Sequence, residues 1–418
     1  MFSKDISAFK VLLQAQQTLV VDIGNYVVGP YNGSFNATLT VSFYNLRSIH
    51  PQTAADEIIP LSKCGHQGVP TYFNLPDDTA ATSIIIPSNA SRLVLDILAS
   101  GNGEEEFWYS NIPDEYTDTF KNWNGAFLGQ GSFREVVVLL DDEAVGVAWP
   151  FEVVFTGGIC PGFWRRIVGH RTFDLPTYRI DMTPFIPKMR SGSHRIQFRV
   201  NGQPDTLQNW YVSGRLHIWF SNVTIPVGNS RPRETAHYIS PTATIESQGQ
   251  VSSGNTSFSV NTTAFRHDPL YSLEYNNVQS YRLQVNGSVG LQNITQTTNF
   301  SSPLSRGHYR FALESSEETY PNGSLYIQAS LSQLYHCNTS HILHGYNVIE
   351  HAEVVTTGIL SINGNSGWSL GNTSVKVSYK SPRREYVRVV DVLGVQVVSD
   401  YEIDKSMGPF LQLQIPSP

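Results

Sequence analysis

Three consecutive carboxylates stand directly before three aromatic side chains in the first third of the chain. Residues 101–116 read GNGEEEFWYSNIPDEY. Like charges this close repel each other, and burial of any of them against the aromatic rings raises its pKa. A carboxyl group tuned in this way serves as a general acid at neutral or mildly acidic pH. The alternative interpretation is a solvated acidic turn before a strand.

Aromatic and arginine side chains form two further clusters. Residues 149–166 read WPFEVVFTGGICPGFWRR, where paired glycines and prolines between aromatics predict a shaped loop. Trp164 and Arg165 suit a carbohydrate site, because a flat ring stacks on a sugar face while a guanidinium donates hydrogen bonds. The alternative is aromatic core packing beside a surface arginine. Arg134 precedes Glu135 in a strand-like run, where the alternative is an ordinary cross-strand ion pair.

Other catalytic and binding signatures are absent from the sequence. It contains no nucleophile elbow, P-loop, dinucleotide fingerprint or HExxH motif, its twelve histidines are scattered, and its three cysteines form no CxxC. A net charge of −7 argues against a nucleic-acid-binding surface. No apolar run approaches the roughly 18 residues of a membrane span. We therefore expect no metal, no cofactor, no nucleic-acid partner and no membrane span.

The distribution of glycosylation sequons indicates the compartment. Twelve Asn-x-Ser/Thr sequons, with low charge and abundant Ser, Thr and Tyr, are typical of a eukaryotic secretory protein. The first 17 residues lack the apolar segment of a signal peptide. We expect a secreted or vacuolar protein whose signal peptide is not in this sequence. The sequon asparagines are Asn32, Asn36, Asn89, Asn222, Asn255, Asn261, Asn286, Asn293, Asn299, Asn322, Asn338 and Asn372.

The elements that position these residues are predicted to be β-strands. The chain has 418 residues and 40% apolar side chains, enough for several cores. Runs of strand length with period-two alternation recur every 8–15 residues, for example at 92–97, 133–140 and 211–220. This pattern predicts an all-β fold of jelly-roll-like sandwiches. Helical signals are scarce, and the best candidate for a helix is residues 4–17, with apolar side chains at helical spacing.

Composition divides the chain into three predicted domains. Residues 1–80 are the first, and residues 81–228 hold the aromatic and acidic clusters. Residues 233–418, rich in Ser, Thr and Asn, are predicted to form a C-terminal β-sandwich module. The segment 226–234, with two prolines and two arginines, is the predicted linker.

Four motifs, in order, resemble the peptide:N-glycanase A (glycoamidase A) family of plants and fungi, in a fungal-like form. The resemblance covers roughly residues 15–220. The motifs read EEEFWYSNIPDEY, FREVVVLLDDEAVGVAWPFEVVFTGGICPGFWRRIVG, FDLPTYRIDMTPF and NWYVSGRLHIWF.

The resemblance implies hydrolysis of the amide that joins an N-acetylglucosamine to an asparagine side chain, which becomes aspartate. It implies an N-glycoprotein or glycopeptide substrate, metal-independent carboxylate catalysis at acidic pH, and two packed jelly rolls. The family begins upstream of this sequence, so the resemblance implies that residues 1–80 are the remainder of a first jelly roll. It also implies that the general base is not in this sequence.

A more distant resemblance to bacterial peptide:N-glycanases implies the site residues. Glu106 matches the catalytic glutamate of the second jelly roll, and Glu105 is the next candidate. The residues expected to bind the substrate are Arg134, Trp164, Arg165, Trp108, Asp22 and Asn25. The family usually has Trp-Arg-Pro-Ile where this chain has Trp-Arg-Arg-Ile at 164–167, and the extra arginine is expected to alter glycan contacts.

Two other functions stay open at this point. A chain without the base would be a non-catalytic glycan-binding protein of the same fold. A glycosidase would need two facing carboxylates at a fixed separation, which sequence does not measure. A second subunit, formed by proteolytic processing, is a further expectation.

Overall fold

The computed structural model describes residues 4–21, 33, 36–43, 54–63, 71–120, 127–163, 167–221, 238–240, 242–252, 256–340, 347–382 and 384–406. Within these residues the predicted all-β fold is confirmed, with antiparallel strands in three sheets. Their helices are all too short to cross a membrane.

Nine strands form two sheets that pack face to face. The five-stranded sheet has the order β1-β9-β4-β7 with β2 beside β9, and the four-stranded sheet has the order β3-β8-β5-β6. The strands are β1 Glu57–Leu61, β2 Phe73–Leu75, β3 Ala81–Ile84, β4 Ala90–Gly101, β5 Glu135–Leu140, β6 Glu143–Ala148, β7 Tyr178–Asp181, β8 His194–Asn201 and β9 Trp210–Phe220, with a short helix α1 at Ile186–Met189. Phe198 of β8 lies against the backbone of Gly214 in β9, so the inner faces of the two sheets are in contact.

The described residues after 243 form one ten-stranded meander. Each strand pairs with the next in sequence, as expected for hairpin connections. The strands are β10 Thr244–Val251, β11 Ser257–Asp268, β12 Leu273–Asn286, β13 Val289–Ser301, β14 Ser305–Thr319, β15 Leu325–Ser340, β16 Asn347–Asn363, β17 Ser366–Ser381, β18 Arg384–Leu393 and β19 Gln396–Ser406. Gly287 and Gly364 open two-residue loops with positive φ, which type II′ hairpins require.

The ten-stranded sheet is a third layer over the sandwich. Every residue of β5 is buried, as expected for a strand that is covered on both faces. Arg266 of β11 reaches across the interface, and its Nε and Nη2 donate to the two carboxylate oxygens of Glu135 in β5 at 2.8 and 2.7 Å. Trp149 Nε1 donates to the same carboxylate at 2.8 Å and its ring packs on Tyr275. One continuous apolar core therefore joins the two parts.

The predicted helix at residues 4–17 is wrong. The segment forms two 3₁₀ turns, Ser7–Phe9 and Leu12–Gln14. Phe9 packs on the outer side of the five-stranded sheet, with the Arg215 guanidinium 4.6 Å from its ring. Short helices are unstable without a tertiary face to bury, and residues 14–17 (QAQQ) offer no large apolar side chain to extend one.

The three-domain division stays a prediction. Strands β1 and β2, from the predicted first domain, pair with β9 of the predicted second. The described strands between residues 244 and 406 lie in one continuous sheet, and its buried face packs on the sandwich. The predicted linker, residues 226–234, lies outside the described residues.

The Glu135–Arg266 pair gives a first prediction. Arg266→Met leaves a buried carboxylate without its cation, which typically costs about 3–5 kcal/mol in the free energy of unfolding. Urea unfolding at pH 7, followed by tryptophan fluorescence, measures this loss. Arg310→Met, at an exposed position of the same sheet, is the matched control and should change stability by about 0.5 kcal/mol at most. Equal effects of the two substitutions would contradict this role for the pair.

Candidate active site

The acidic-aromatic segment is a compact double turn that is hydrogen-bonded to the residue before β9. Two 3₁₀ turns, Gly103–Glu105 and Trp108–Ser110, follow β4 directly. The backbones of Asn102 and Asn209 exchange two hydrogen bonds of 2.8 and 2.7 Å. A Cβ at Gly101 would stand 2.2 Å from the carbonyl oxygen of Glu105, so this close approach requires glycine.

Glu105 is the buried centre of this turn. Arg134 holds its carboxylate in a two-point pair, with Nε–Oε2 at 2.5 Å and Nη2–Oε1 at 2.7 Å. Trp210 Nε1 and the Leu207 backbone N–H also donate to it, at 2.6 and 2.9 Å. Burial alone would raise the pKa of Glu105, but the hydrogen bonds and charge of Arg134 outweigh it and hold the pKa below its ordinary value. Glu105 is therefore an ionised anchor, and this environment does not suit a proton donor.

Arg134 and Trp108 are turned inward by the same cluster. Arg134 is 1% exposed, and its Nη1 donates to the carbonyl oxygens of Gln130, Gly131 and Phe133. Trp108 is 4% exposed and packs on the rings of its neighbours. Substrate binding by Arg134 and Trp108 stays a prediction. In this structure both side chains are almost fully buried.

Glu106 differs from Glu105 in its burial and in its hydrogen bonding. It follows the first 3₁₀ turn in αR conformation, and its side chain is only partly buried. Its carboxylate accepts no hydrogen bond and joins no ion pair among the residues that the structure describes. Of the three adjacent glutamates, Glu106 alone combines partial burial with an unoccupied carboxylate beside the aromatic cluster.

Two buried polar side chains, Tyr109 in this turn and Glu152 near it, lack a hydrogen-bond partner among the described residues. The hydroxyl of Tyr109 and both carboxylate oxygens of Glu152 are buried and make no hydrogen bond to another described residue. Burial raises the pKa of Glu152 to about 8. Burial, with the nearby charges of Glu106 and Glu152, raises the pKa of Tyr109 far above its ordinary value. The site therefore combines the open carboxylate of Glu106 with a carboxyl that stays neutral at pH 5–7.

The ten-stranded sheet holds both segments in place. Gln279 Nε2 donates to the carbonyl oxygen of Tyr109, and Gln333 Nε2 to the carbonyl oxygen of Glu152, each at 2.6 Å. Phe311, between them on the sheet, packs its ring 4.6 Å from the ring of Tyr109. Because these contacts are to backbone oxygens, they fix the chain without neutralising the orphaned side chains.

The glycine-rich loop after Phe155 closes over the same region. Gly158 lies against the Phe107 ring, and Phe163 packs on Gly358 of β16. The predicted site residues Trp164, Arg165, Asp22 and Asn25 lie outside the described residues, as do the sequon residues Asn32, Asn222 and Asn255. Their placement relative to Glu106 stays a prediction.

The remaining predicted features lie away from this turn. The described sequon asparagines are exposed or half-buried, so glycosylation stays a prediction at Asn36, Asn89, Asn261, Asn286, Asn293, Asn299, Asn322, Asn338 and Asn372. Cys160 and Cys337 are buried. Within the described ranges no group of three or more His, Cys, Asp or Glu side chains is placed to hold a metal ion.

Sequence reasoning did not select Glu152 or Tyr109. The sequence does contain a signal for Glu152, which is the single carboxylate in the apolar run WPFEVVF. If such a run is buried, the carboxylate within it is buried too. Tyr109 lies in the acidic-aromatic motif, but the sequence pattern indicates only an aromatic ring beside the carboxylates and not a buried hydroxyl. Its missing partner depends on contacts with strands about 170–200 residues away.

Comparison with known proteins agrees with the motifs. Residues 1–234 match the family described as peptide N-acetyl-beta-D-glucosaminyl asparaginase amidase A. Over 233 residues the chain is 40% identical to the peptide-N4-(N-acetyl-beta-glucosaminyl)asparagine amidase A of Prunus dulcis. The alignment covers 52% of this chain and 40% of the Prunus protein, so the chain spans about two fifths of the length of that curated relative. No solved structure matches.

The buried carboxyl of Glu152 gives a second prediction. A glutamate with a pKa of 4.5 when unfolded and about 8 when folded binds an extra proton in the folded state between those values. Its contribution to stability therefore falls as pH rises through this window, by at most about 1.4 kcal/mol per pH unit. Glu152→Gln removes the titration, so the variant should gain stability relative to the parent between pH 5.5 and 7.5.

Urea unfolding of both proteins at the two pH values measures this difference. Glu104→Gln, which removes an exposed carboxylate nearby, is the control for a general effect of net charge. A stability difference between parent and Glu152→Gln that does not change with pH would contradict a neutral, buried Glu152.

Proposed function

Because this chain belongs to the peptide N-acetyl-beta-D-glucosaminyl asparaginase amidase A family, we propose that it takes part in hydrolysis of the glycosylasparagine amide of N-glycoproteins or glycopeptides. The observation that carries the proposal within the matched region is the contrast between Glu105 and Glu106. The carboxylate of Glu105 is buried and hydrogen-bonded within the turn. The carboxylate of Glu106 accepts no hydrogen bond from a described residue and lies at the partly open side of the aromatic cluster.

The proposed reaction needs water, a base and an acid. Water attacks the side-chain amide carbon, and a tetrahedral oxyanion forms. The carbon–nitrogen bond then breaks as the leaving nitrogen takes up a proton, which gives aspartate and a glycosylamine. The glycosylamine loses ammonia in water and leaves the free glycan. We assign Glu106 to the proton donor or to polarisation of the amide, and we assign no described residue as the base.

The neutral carboxyl of Glu152 supports this assignment. At acidic or neutral pH Glu152 holds its proton and adds no buried negative charge to that of Glu105, which Arg134 already balances. An ionised Glu152 would oppose negative charge that develops on the substrate oxyanion. The geometry therefore suits a site that works below about pH 8, in keeping with the acidic pH expected from the family resemblance.

The residues that contact the substrate and the cellular compartment of the protein are further parts of the same proposal. Trp164 and Arg165 supply the ring and the hydrogen-bond donors for the glycan core, and Asp22 and Asn25 approach from the first domain. The twelve sequons support synthesis in the secretory pathway, for a secreted or vacuolar protein. Jelly-roll topology and a second subunit formed by processing are further parts of the proposal.

Substitutions at adjacent glutamates give a third prediction. Glu106→Gln should lower the rate of glycan release from a chitobiose-bearing glycopeptide at pH 5 by about 100- to 10,000-fold, because it removes the acid. Glu104→Gln, on the same turn but exposed, is the matched control and should keep the parental rate. Mass spectrometry of the peptide in ¹⁸O-water shows whether asparagine becomes labelled aspartate.

The products separate the proposed function from its alternatives. Labelled aspartate identifies an amidase, and a single sugar left on asparagine identifies a glycosidase. Retention of an uncleaved glycopeptide on the immobilised chain identifies a non-catalytic glycan-binding protein. Parental rates in Glu106→Gln, with loss only in Glu105→Gln at unchanged stability, would move the acid to Glu105.

A further inference from the structure

Three histidines stand side by side on the solvent face of the ten-stranded sheet. His308 pairs with His336, and His336 with His351, on strands β14, β15 and β16. Their ring centroids are 5.3 and 5.6 Å apart. The next residues on these strands, Tyr309 and Tyr335, lie in the core, so the histidines face away from it. We call these three residues the histidine row; it lies beyond residue 234, outside the part that matches the family.

Four cations surround the histidine row. Arg306 and Arg310 flank His308 on β14, and Lys376 and Lys380 flank Ser378, the partner of His351 on β17. All four are exposed, and none joins an ion pair with a described residue. We call them the corner cations. With strands about 4.8 Å apart and about 3.4 Å of rise per residue, they mark a rectangle roughly 14 Å on each side.

Negative charge around this rectangle is sparse. On β16, Glu353 lies 3.2 Å from His351 and is the single carboxylate on this face inside the described rectangle. Glu385 of β18 pairs with Lys380, one strand outside the rectangle, and Glu274 of β12 lies in the row of Arg306, two strands outside it. The described residues of β13 and β15 in these rows are uncharged. Positive charge is thus concentrated on one face of a protein whose net charge is −7.

We propose that the histidine row and the corner cations form a binding site for a carboxylate-bearing oligosaccharide, occupied at acidic pH. A ligand lying along the row meets one imidazole per strand, at intervals of about 4.8 Å. This interval is close to the length of one pyranose ring, and a polyuronate carries one carboxylate on each ring. An extended acidic peptide presents same-side carboxylates about 6.8 Å apart and does not match it.

The charge state of the row makes binding depend on pH. Burial and the neighbouring positive charges of His351 and Arg310 lower the pKa of His308, and burial with His308 and His351 lowers the pKa of His336. A bound carboxylate stabilises the imidazolium forms and raises these pKa values again. Binding therefore takes up protons, and affinity rises as the pH falls.

Calorimetric titration with a galacturonic-acid hexamer at low salt tests the site in the 418-residue chain. The protein carries Asn299→Gln and Asn338→Gln throughout, because the Asn299 sequon is in register with His308 and the Asn338 sequon with Arg306. We expect affinity to rise about tenfold from pH 7.5 to pH 5, with proton uptake shown by two buffers of different ionisation enthalpy. No binding at pH 5, or binding without proton uptake, would overturn the proposal.

Three sets of variants separate specific binding from general attraction. The pair His308→Gln and His336→Gln should abolish most of the pH dependence. The pair Arg306→Gln and Arg310→Gln should weaken binding about two- to twenty-fold at both pH values. Arg282→Gln is the control, at an exposed position of the same face about 20 Å away. If Arg282→Gln weakens binding as much as the Arg306 and Arg310 pair, the site is wrong.

Two further probes test the ligand class. The methyl-esterified hexamer has the same sugars without charge and should not bind. A glutamic-acid hexamer has the charge without the sugar spacing and should bind at least several-fold more weakly. Equal affinity for either probe would overturn recognition of a carboxylated sugar. Circular dichroism of each variant confirms the sheet, and the arginine pair still tests the site if a histidine variant does not fold.

Discussion

The buried pair of Glu105 and Arg134 is the constraint on which the candidate site depends. It joins the turn after β4 to the start of β5, and through Trp210 to β9, so three separate elements meet at one carboxylate. Breaking a buried pair of this kind is costly, because the remaining charge has no partner. With Glu105 turned inward, the following residue in the tight 3₁₀ geometry points elsewhere, and Glu106 is left at the partly open side.

The ten-stranded sheet supplies the second half of this environment. It covers β5, anchors Glu135 through Arg266, and holds the backbones at Tyr109 and Glu152 through two glutamines. The result is a buried region in which several polar groups lack a hydrogen-bond partner among the described residues. Burial raises the pKa of both carboxyls, but the outcomes differ. Arg134 outweighs burial and keeps Glu105 ionised, whereas Glu152 has no cation beside it and keeps its proton.

Much of the fold could be predicted from the sequence, because alternating or continuous apolar runs indicate which strands are buried and on which faces. The run at 133–140 is an example, and β5 and its neighbours follow it closely. The prediction of a helix at residues 4–17 was wrong, because apolar periodicity does not show whether the apolar face has a surface to pack against. The choice between Glu105 and Glu106, and the isolation of Glu152, depend on contacts more than a hundred residues away in some cases, which local pattern does not contain.

Hydrogen–deuterium exchange across residues 101–112 tests most directly whether Glu105 holds the turn while Glu106 is free for chemistry. The amides of Asn102, Glu105 and Glu106 are hydrogen-bonded in the turn and should be protected in the parent protein. We predict that Glu105→Gln speeds exchange throughout this segment and that Glu106→Gln leaves it unchanged. Unchanged protection in Glu105→Gln, or equal loss of protection in both variants, would contradict the account.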